Sequence, residues 1–304
     1  MLRPLSILYV TLATALLIGA AAAAKAEEVK LKHGRLTLNA ELDMAAGKAL
    51  SQGVVMIIHG TLAHNAMDTL ANLRSVLKER GFNTLAVNLS LAVDDRHGMY
   101  DCKIAHKHKH TDALDEIGVW LDWLKSKGAG PVMLFGHSRG GNQVTRFTVE
   151  RGHQLINRLA LLAPATDDPA RAAAGFERQH KQPLAEVLGK AEAMAMAGKG
   201  ADMMAKTGLL YCPDAVATAD SFISYYAPDP RRDTPSLIGK VEVPVLIMAG
   251  SADTVVPDLP QKMKGKADGK RVLFKVVDGA DHFFLDLFAE DVGDAMKSFH
   301  AAGS

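Results

Sequence analysis

Pro131-Val-Met-Leu-Phe135-Gly136-His137-Ser138-Arg139-Gly140 is an apolar run that passes straight into a Gly-x-Ser-x-Gly turn. The run reads as a buried strand over 131–136, and the residues from 139 to 151 read as a helix. A strand, a sharp turn and a helix in that order lift one hydroxyl clear of a sheet end and set it at a helix N-terminus. The glycines serve the tight turn and the close approach of the helix. Ser138 is therefore a candidate nucleophile; the bland alternative is a glycine-rich turn with an incidental serine.

Working outward, strands and helices alternate. Val29 to Leu42 reads as an opening β-hairpin around Gly34. Gly53 to Ile58 is a short continuous apolar run, as expected of a strand buried on both faces. Met67 to Arg80 carries Leu70, Leu73 and Leu77 at helical spacing and stops at Gly81. Thr84 to Leu89 is the next strand. Thr111 to Lys127 repeats Leu114, Ile117, Leu121 and Leu124 on one face. A strand over 156–163 follows the Ser138 helix. The alternation then breaks at about Ala165 and resumes at strands 244–249 and 271–277. A final helix carries Leu285, Phe288, Val292, Met296 and Phe299. This pattern predicts an α/β fold: a mostly parallel central sheet covered by helices on both faces. Residues 165–240, rich in Ala, Met and Lys, read as a helical insert with no buried strand.

A serine hydroxyl needs a base to take its proton, and the base needs an orienting group. Gly250-Ser-Ala-Asp253 follows one late strand, and Asp278-Gly-Ala-Asp-His282 follows the other. Both lie at strand ends, where parallel sheets place their sites. The order Ser138, Asp253, His282, with the elbow and His59-Gly60 after the third strand, resembles the α/β-hydrolase superfamily across the mature chain. The resemblance implies an α/β-hydrolase fold with an inserted helical cap. It implies Ser138 as nucleophile, His282 as base and then acid, and Asp253 as the acid orienting it. Asp258, Asp281 and Asp167 are alternative acids; Asp258 reads instead as a helix cap. The resemblance further implies an oxyanion hole from the backbone N–H of Arg139 and of Thr61, with Leu62 as alternative to Thr61. His59 is expected to pack and fix its loop. The loop departs from the His-Gly-Gly-Gly pattern of some lipases and esterases.

Other residues are open to more than one reading. The Arg139 side chain can bind a substrate carboxylate or make a structural ion pair with an aspartate; the ion pair is expected. His106-Lys-His-Lys-His110, with His97 and Asp112 nearby, can bind a metal, but a solvated polar loop capped by Thr111 or Asp112 is expected. Met194, Met196, Met203 and Met204 can ligate copper, or form the apolar face of a lid helix, which is expected. Phe222, Tyr225 and Tyr226 suggest an apolar lining for the lid. Cys102 and Cys212 are either a disulfide tethering the lid or two separate thiols.

Residues 1–26 read as a signal peptide, with Arg3, an apolar run from Leu5 to Ala24, and Ala24-Lys25-Ala26 as cleavage site. Residues 27–304 form the hydrolase domain. The expected location is periplasmic or secreted; an uncleaved segment would anchor the chain to a membrane instead. Net charge is +1, and removal of Arg3 and Lys25 leaves 33 basic against 34 acidic residues. That balance gives no field for nucleic acid. The expected partner is a small-molecule acyl substrate, with no cofactor and no resident metal. Hydrolysis of a carboxylic ester is the expected activity. Alternatives are a thioesterase or peptidase-like amidase of the same fold, a non-catalytic binding protein of that fold, or a metal-binding periplasmic protein.

Overall fold

The computed structural model describes residues 26–302; the leader reading of residues 1–26 falls almost wholly outside them. An opening hairpin pairs β1 (Glu27–His33) with β2 (Leu36–Asp43). Then come β3 (Val54–Ile58), α1 (Asp68–Glu79), β4 (Thr84–Asn88), α2 (Asp112–Ser126), β5 (Val132–His137), α3 (Arg139–Glu150) and β6 (Ile156–Leu162). The insert holds α4 (Pro169–His180), α5 (Leu184–Met196), a two-stranded ribbon of β7 (Met203–Met204) and β8 (Ala217–Thr218), α6 (Ala219–Tyr226) and α7 (Thr234–Leu237). The chain closes with β9 (Val245–Gly250), α8 (Leu259–Met263), β10 (Val272–Val277) and α9 (Leu287–Ala301).

One eight-stranded sheet runs in the order β1-β2-β4-β3-β5-β6-β9-β10. Its pairs from β4 to β10 are parallel, and the hairpin joins β4 antiparallel. The crossover from β3 to β4 runs one way along the sheet, and those from β4 through β10 run the other. Right-handed crossovers then place α1 on the face opposite α2 and α3. Accordingly α1 packs on α9, while α2 packs on α3. The continuous apolar runs of β3 and β5 are buried throughout, as strands covered on both faces require. The chain leaves neighbouring β3 and β5 towards opposite edges of the sheet. Their loops separate above the C-terminal ends, which opens a crevice there.

The insert departs from its sequence reading in its strand content and in the placing of its methionines. The ribbon gives it a short strand, β8, with both residues buried. Its own apolar cluster centres on Phe176, Val187, Leu209 and Phe222 and takes in Leu62 and Tyr100 from the body. The methionines do not share a helix face. Met204 is buried in that cluster and Met194 packs against it, whereas Met203 sits on the ribbon and Met196 is exposed. Among the described residues, no helix is long and apolar enough to cross a membrane.

Candidate active site

Ser138 sits between β5 and α3 with φ 55° and ψ −121°, a conformation unfavourable for any residue with a Cβ. Surrounding contacts hold it there. Its N–H donates to the Leu162 carbonyl (2.9 Å), and its own carbonyl accepts from Gly141 (3.0 Å) and Ala165 (2.9 Å). Gly140 is required because a Cβ there would run into the carbonyl oxygens of Ile58 and His59. The elbow can thus lie hard against the loop that follows β3.

His282 and Asp253 arrive from the two strands at the far end of the sheet. β9 and β10 pair so that Gly250 stands opposite Val277, and the loops beyond them lie side by side. His282 Nε2 is 2.9 Å from Ser138 Oγ, and its Nδ1 is 2.8 Å from Asp253 Oδ2. Asp253 Oδ1 accepts from the amides of Val255 (2.7 Å) and Val256 (3.0 Å). Burial raises the Asp253 pKa, but the bonds from His282 and these amides outweigh it and leave it below the ordinary aspartate value. Asp253 therefore stays a carboxylate. Its acceptor-only oxygens put the His282 proton on Nδ1 and leave Nε2 to accept from Ser138. All three side chains are buried.

The other aspartates considered from the sequence are engaged elsewhere. Asp258 does not cap its helix: it accepts from Thr166 Oγ1 (2.7 Å) and Arg171 (2.9 Å). Asp281 Oδ1 accepts from the amides of Phe283 and Phe284. Asp167 faces Arg232 at 3.8 Å.

The loop after β3 closes the site from the opposite side. A Cβ on Gly60 would stand 3.2 Å from Ser138 Cβ. Among the described residues, no protein acceptor engages the backbone N–H of Thr61, Leu62 or Arg139. His59 holds this loop as expected. Its Nδ1 donates to the Gly60 carbonyl (2.8 Å), and its Nε2 accepts from Leu89 N and Arg96 Nη2, both at 3.1 Å. Burial, aided by the Arg96 charge, pushes the His59 pKa down to about 3, so the ring is neutral and keeps this one tautomer.

Three features were not foreseen. His137, the unspecified residue before the serine, bonds through Nε2 to the His282 carbonyl (2.9 Å). The sequence offered only its place in the elbow as a signal. The Arg139 side chain makes no ion pair among the described residues, contrary to expectation. Instead Nε donates to Thr61 Oγ1 (3.0 Å), and the guanidinium lies 5.2 Å from the Tyr225 ring centroid. Finally, His106, His108 and His110 are buried rather than solvated. His106 Nδ1 meets His108 Nε2 (3.0 Å), and His108 Nδ1 meets the Tyr225 hydroxyl (2.7 Å). The segment is where the insert docks: His106 N donates to Val216 O, Thr218 N to His106 O, and Ser221 Oγ to His108 O. Helix capping is absent there too, since neither Thr111 nor Asp112 caps α2; Asp112 accepts from Lys109 N instead. The three rings do not converge as metal ligands. Among the described residues, the group of three that could hold an ion is Glu28, Asp95 and His97, where His97 Nε2 lies 2.6 Å from Glu28 Oε1.

Cys102 and Cys212 form a disulfide that ties the loop after β4 to the insert. Under the insert lies a cavity of about 420 Å³, walled by Arg139, Ala165, Tyr225, Tyr226 and Val255 among others. Ser138, Asp253 and His282 are not in its wall, but Arg139 follows Ser138 in the chain, Ala165 N donates to the Ser138 carbonyl, and Val255 N donates to Asp253. Phe222 does not line it but packs within the insert.

Comparison with known proteins bears on this arrangement. A monoacylglycerol lipase of Paleococcus ferrophilus superposes with a TM-score of 0.61 at 18% identity, over 88% of this chain and 99% of that one. Est1E of Butyrivibrio proteoclasticus with ferulic acid bound gives 0.64 at 19% identity, over 90% and 98%. An esterase of Pyrococcus furiosus gives 0.58 at 15%, over 91% of each chain. At these identities the likeness is one of fold: the chain has the α/β-hydrolase fold of esterases and lipases. No functionally curated protein matches it in sequence. The model of the alpha/beta hydrolase family matches residues 54–295, from β3 into α9, and to that family the chain belongs.

Proposed function

We propose that the protein is a serine hydrolase that cleaves a carboxylic ester by acyl transfer to Ser138. The observation that carries this reading is the unbroken series Ser138 Oγ–His282–Asp253, with bonds of 2.9 and 2.8 Å. As Ser138 Oγ attacks the ester carbonyl carbon, its proton passes to His282 Nε2. Asp253 stabilises the resulting imidazolium while remaining a carboxylate. The carbonyl oxygen gains the negative charge and is met by the amides of Arg139 and Thr61, which have no competing protein acceptor. Collapse breaks the bond to the alcohol, which leaves with the proton from His282. Water then repeats the sequence on the acyl-enzyme: His282 takes its proton, the C–Oγ bond breaks, and Ser138 recovers a proton as the acid departs.

The test is a series of p-nitrophenyl esters of increasing chain length with Ser138→Ala as control, together with a fluorophosphonate probe. Turnover and labelling are expected in the native protein and neither in the variant. Absence of both in the native protein would point to a non-catalytic binding role. Asp253→Asn, which reverses the tautomer preference of His282, is expected to lower kcat by roughly 10³–10⁴-fold.

The protein is further proposed to act outside the cytoplasm. A cleavable leader at residues 1–26 and a disulfide both suit an oxidising compartment. The mass of the protein recovered from the exported fraction is expected to begin at Glu27; full-length protein held in the membrane would support the anchor reading instead.

A further inference from the structure

One cation in the wall of the cavity, that of Arg139, stands without an ion-pair partner among the described residues. A buried cation is ordinarily paired, because desolvation disfavours it otherwise. Arg139 has no carboxylate within ion-pair distance among the described residues. Its Nε is committed to Thr61, and its plane is fixed against Tyr225. That leaves the end-on pair Nη1 and Nη2, the fork that matches a carboxylate. Arg232 stands in the same wall with its side chain only 10% exposed. Its Nε and Nη1 find no hydrogen-bond partner, and its nearest carboxylate, on Asp167, is 3.8 Å away. Arg232 is close enough for its charge to disfavour that of Arg139, while Asp167 acts in the opposite sense. His110 adds a buried Nδ1 that is also without a partner.

The remaining charged wall residues are engaged with other partners, Asp167 with Arg232. Arg171 is paired with Asp258, and Asp168 caps α4 by accepting from Arg171 N at 3.0 Å. Between the charges the wall is aliphatic and aromatic, with Leu184, Leu188 and Tyr226. A volume of about 420 Å³ suits a small molecule with a short chain.

We propose that this cavity is an anion subsite, in which Arg139, backed by Arg232, binds a carboxylate carried on the acyl chain of the substrate. The inference rests on the hydrolase reading and narrows it to half-esters of dicarboxylic acids. The guanidinium would orient the chain so that its ester carbonyl lies over Ser138, while the amide of the same residue faces the oxyanion.

Monophenyl adipate and phenyl hexanoate have acyl chains of equal length and differ in the terminal carboxylate. The native protein is expected to favour the adipate ester in kcat/KM by about tenfold or more. Arg139→Gln and Arg232→Gln are expected to bring that ratio towards one. Equal kcat/KM for the two esters in the native protein would overturn the proposal, as would a preference that persists in both variants. A second measurement needs no turnover: calorimetric titration of adipate into the Ser138→Ala protein. Saturable binding that is lost on adding Arg139→Gln supports the subsite; no binding refutes it. If neither ester is hydrolysed, the p-nitrophenyl series and the fluorophosphonate probe decide the hydrolase reading, and this titration separately decides the subsite.

Discussion

His137 Nε2 donates to the backbone carbonyl of His282 across 2.9 Å, so the residue before the serine holds the loop that carries its partner histidine. A carbonyl only accepts, which fixes the proton on Nε2. Burial, with the neighbouring His282 charge, pushes the His137 pKa down to about 4, and the ring stays neutral at physiological pH. His137→Phe keeps the ring volume and removes the donor. It is expected to lower kcat about tenfold or more with little change in KM, because a small displacement of His282 lengthens its bond to Ser138. Steady-state kinetics on a p-nitrophenyl ester check this; unchanged kcat would show that the bond does not position His282.

Gly140 is expected to tolerate no side chain. Alanine there must push α3 away from the carbonyls of Ile58 and His59. A loss of about 1–3 kcal/mol in urea unfolding is expected, the range for overpacking a close contact. Activity should fall with it, since the same movement separates Ser138 from the loop after β3. A variant of native stability and rate would show that the two segments have more room than their contact implies.

The buried histidines of the insert's docking segment predict an acid-sensitive stability. Burial pushes His106 down to about 4 and His108 down to about 3. In the unfolded chain both protonate near 6.5. Between pH 6.5 and 4 the unfolded state therefore binds more protons than the folded one, and stability falls as pH falls. The window is worth on the order of 3 kcal/mol per histidine. Urea midpoints at pH 7.5 and pH 5 should differ in this direction, and His106→Phe should narrow the difference. An equal drop in that variant would place the acid sensitivity elsewhere.

Removing the disulfide should loosen the insert before the sheet. Cys102 and Cys212 close a loop with a sequence separation of 110 residues. Opening it costs up to about 4–5 kcal/mol in the chain-entropy view. The paired variant Cys102→Ala/Cys212→Ala is expected to melt lower and to be cut within residues 165–240 by limited proteolysis while the sheet remains protected. Cleavage first in the sheet would argue against a tethering role.

Strand and helix order was legible because it is written in local periodicity: the apolar run of β5, the leucine repeat of α2 and the strand ends before Asp253 and His282 need no long-range information. The site residues were legible for a related reason. A parallel sheet brings all its C-terminal ends to one edge, so Ser138, Asp253 and His282 were bound to share that edge once the strands were placed. The side chains packed around them were not. Asp258 looked like a cap because its position just past Pro257, at a helix start, is local, yet its side chain turned towards Thr166 and Arg171. The segment from His106 to His110 looked solvated because its composition is polar, yet the insert covers it.

The amino-acid order of this chain specified the elements, their parallel alternation and the three residues at the strand ends, all consequences of short-range pattern and of sheet geometry. The neutral state of the buried histidines, the unpaired Arg139 beside the serine, and the bond from His137 that holds His282 depend on which groups lose water and which meet. Those are properties of packing between residues up to 145 positions apart, and no local pattern carries them.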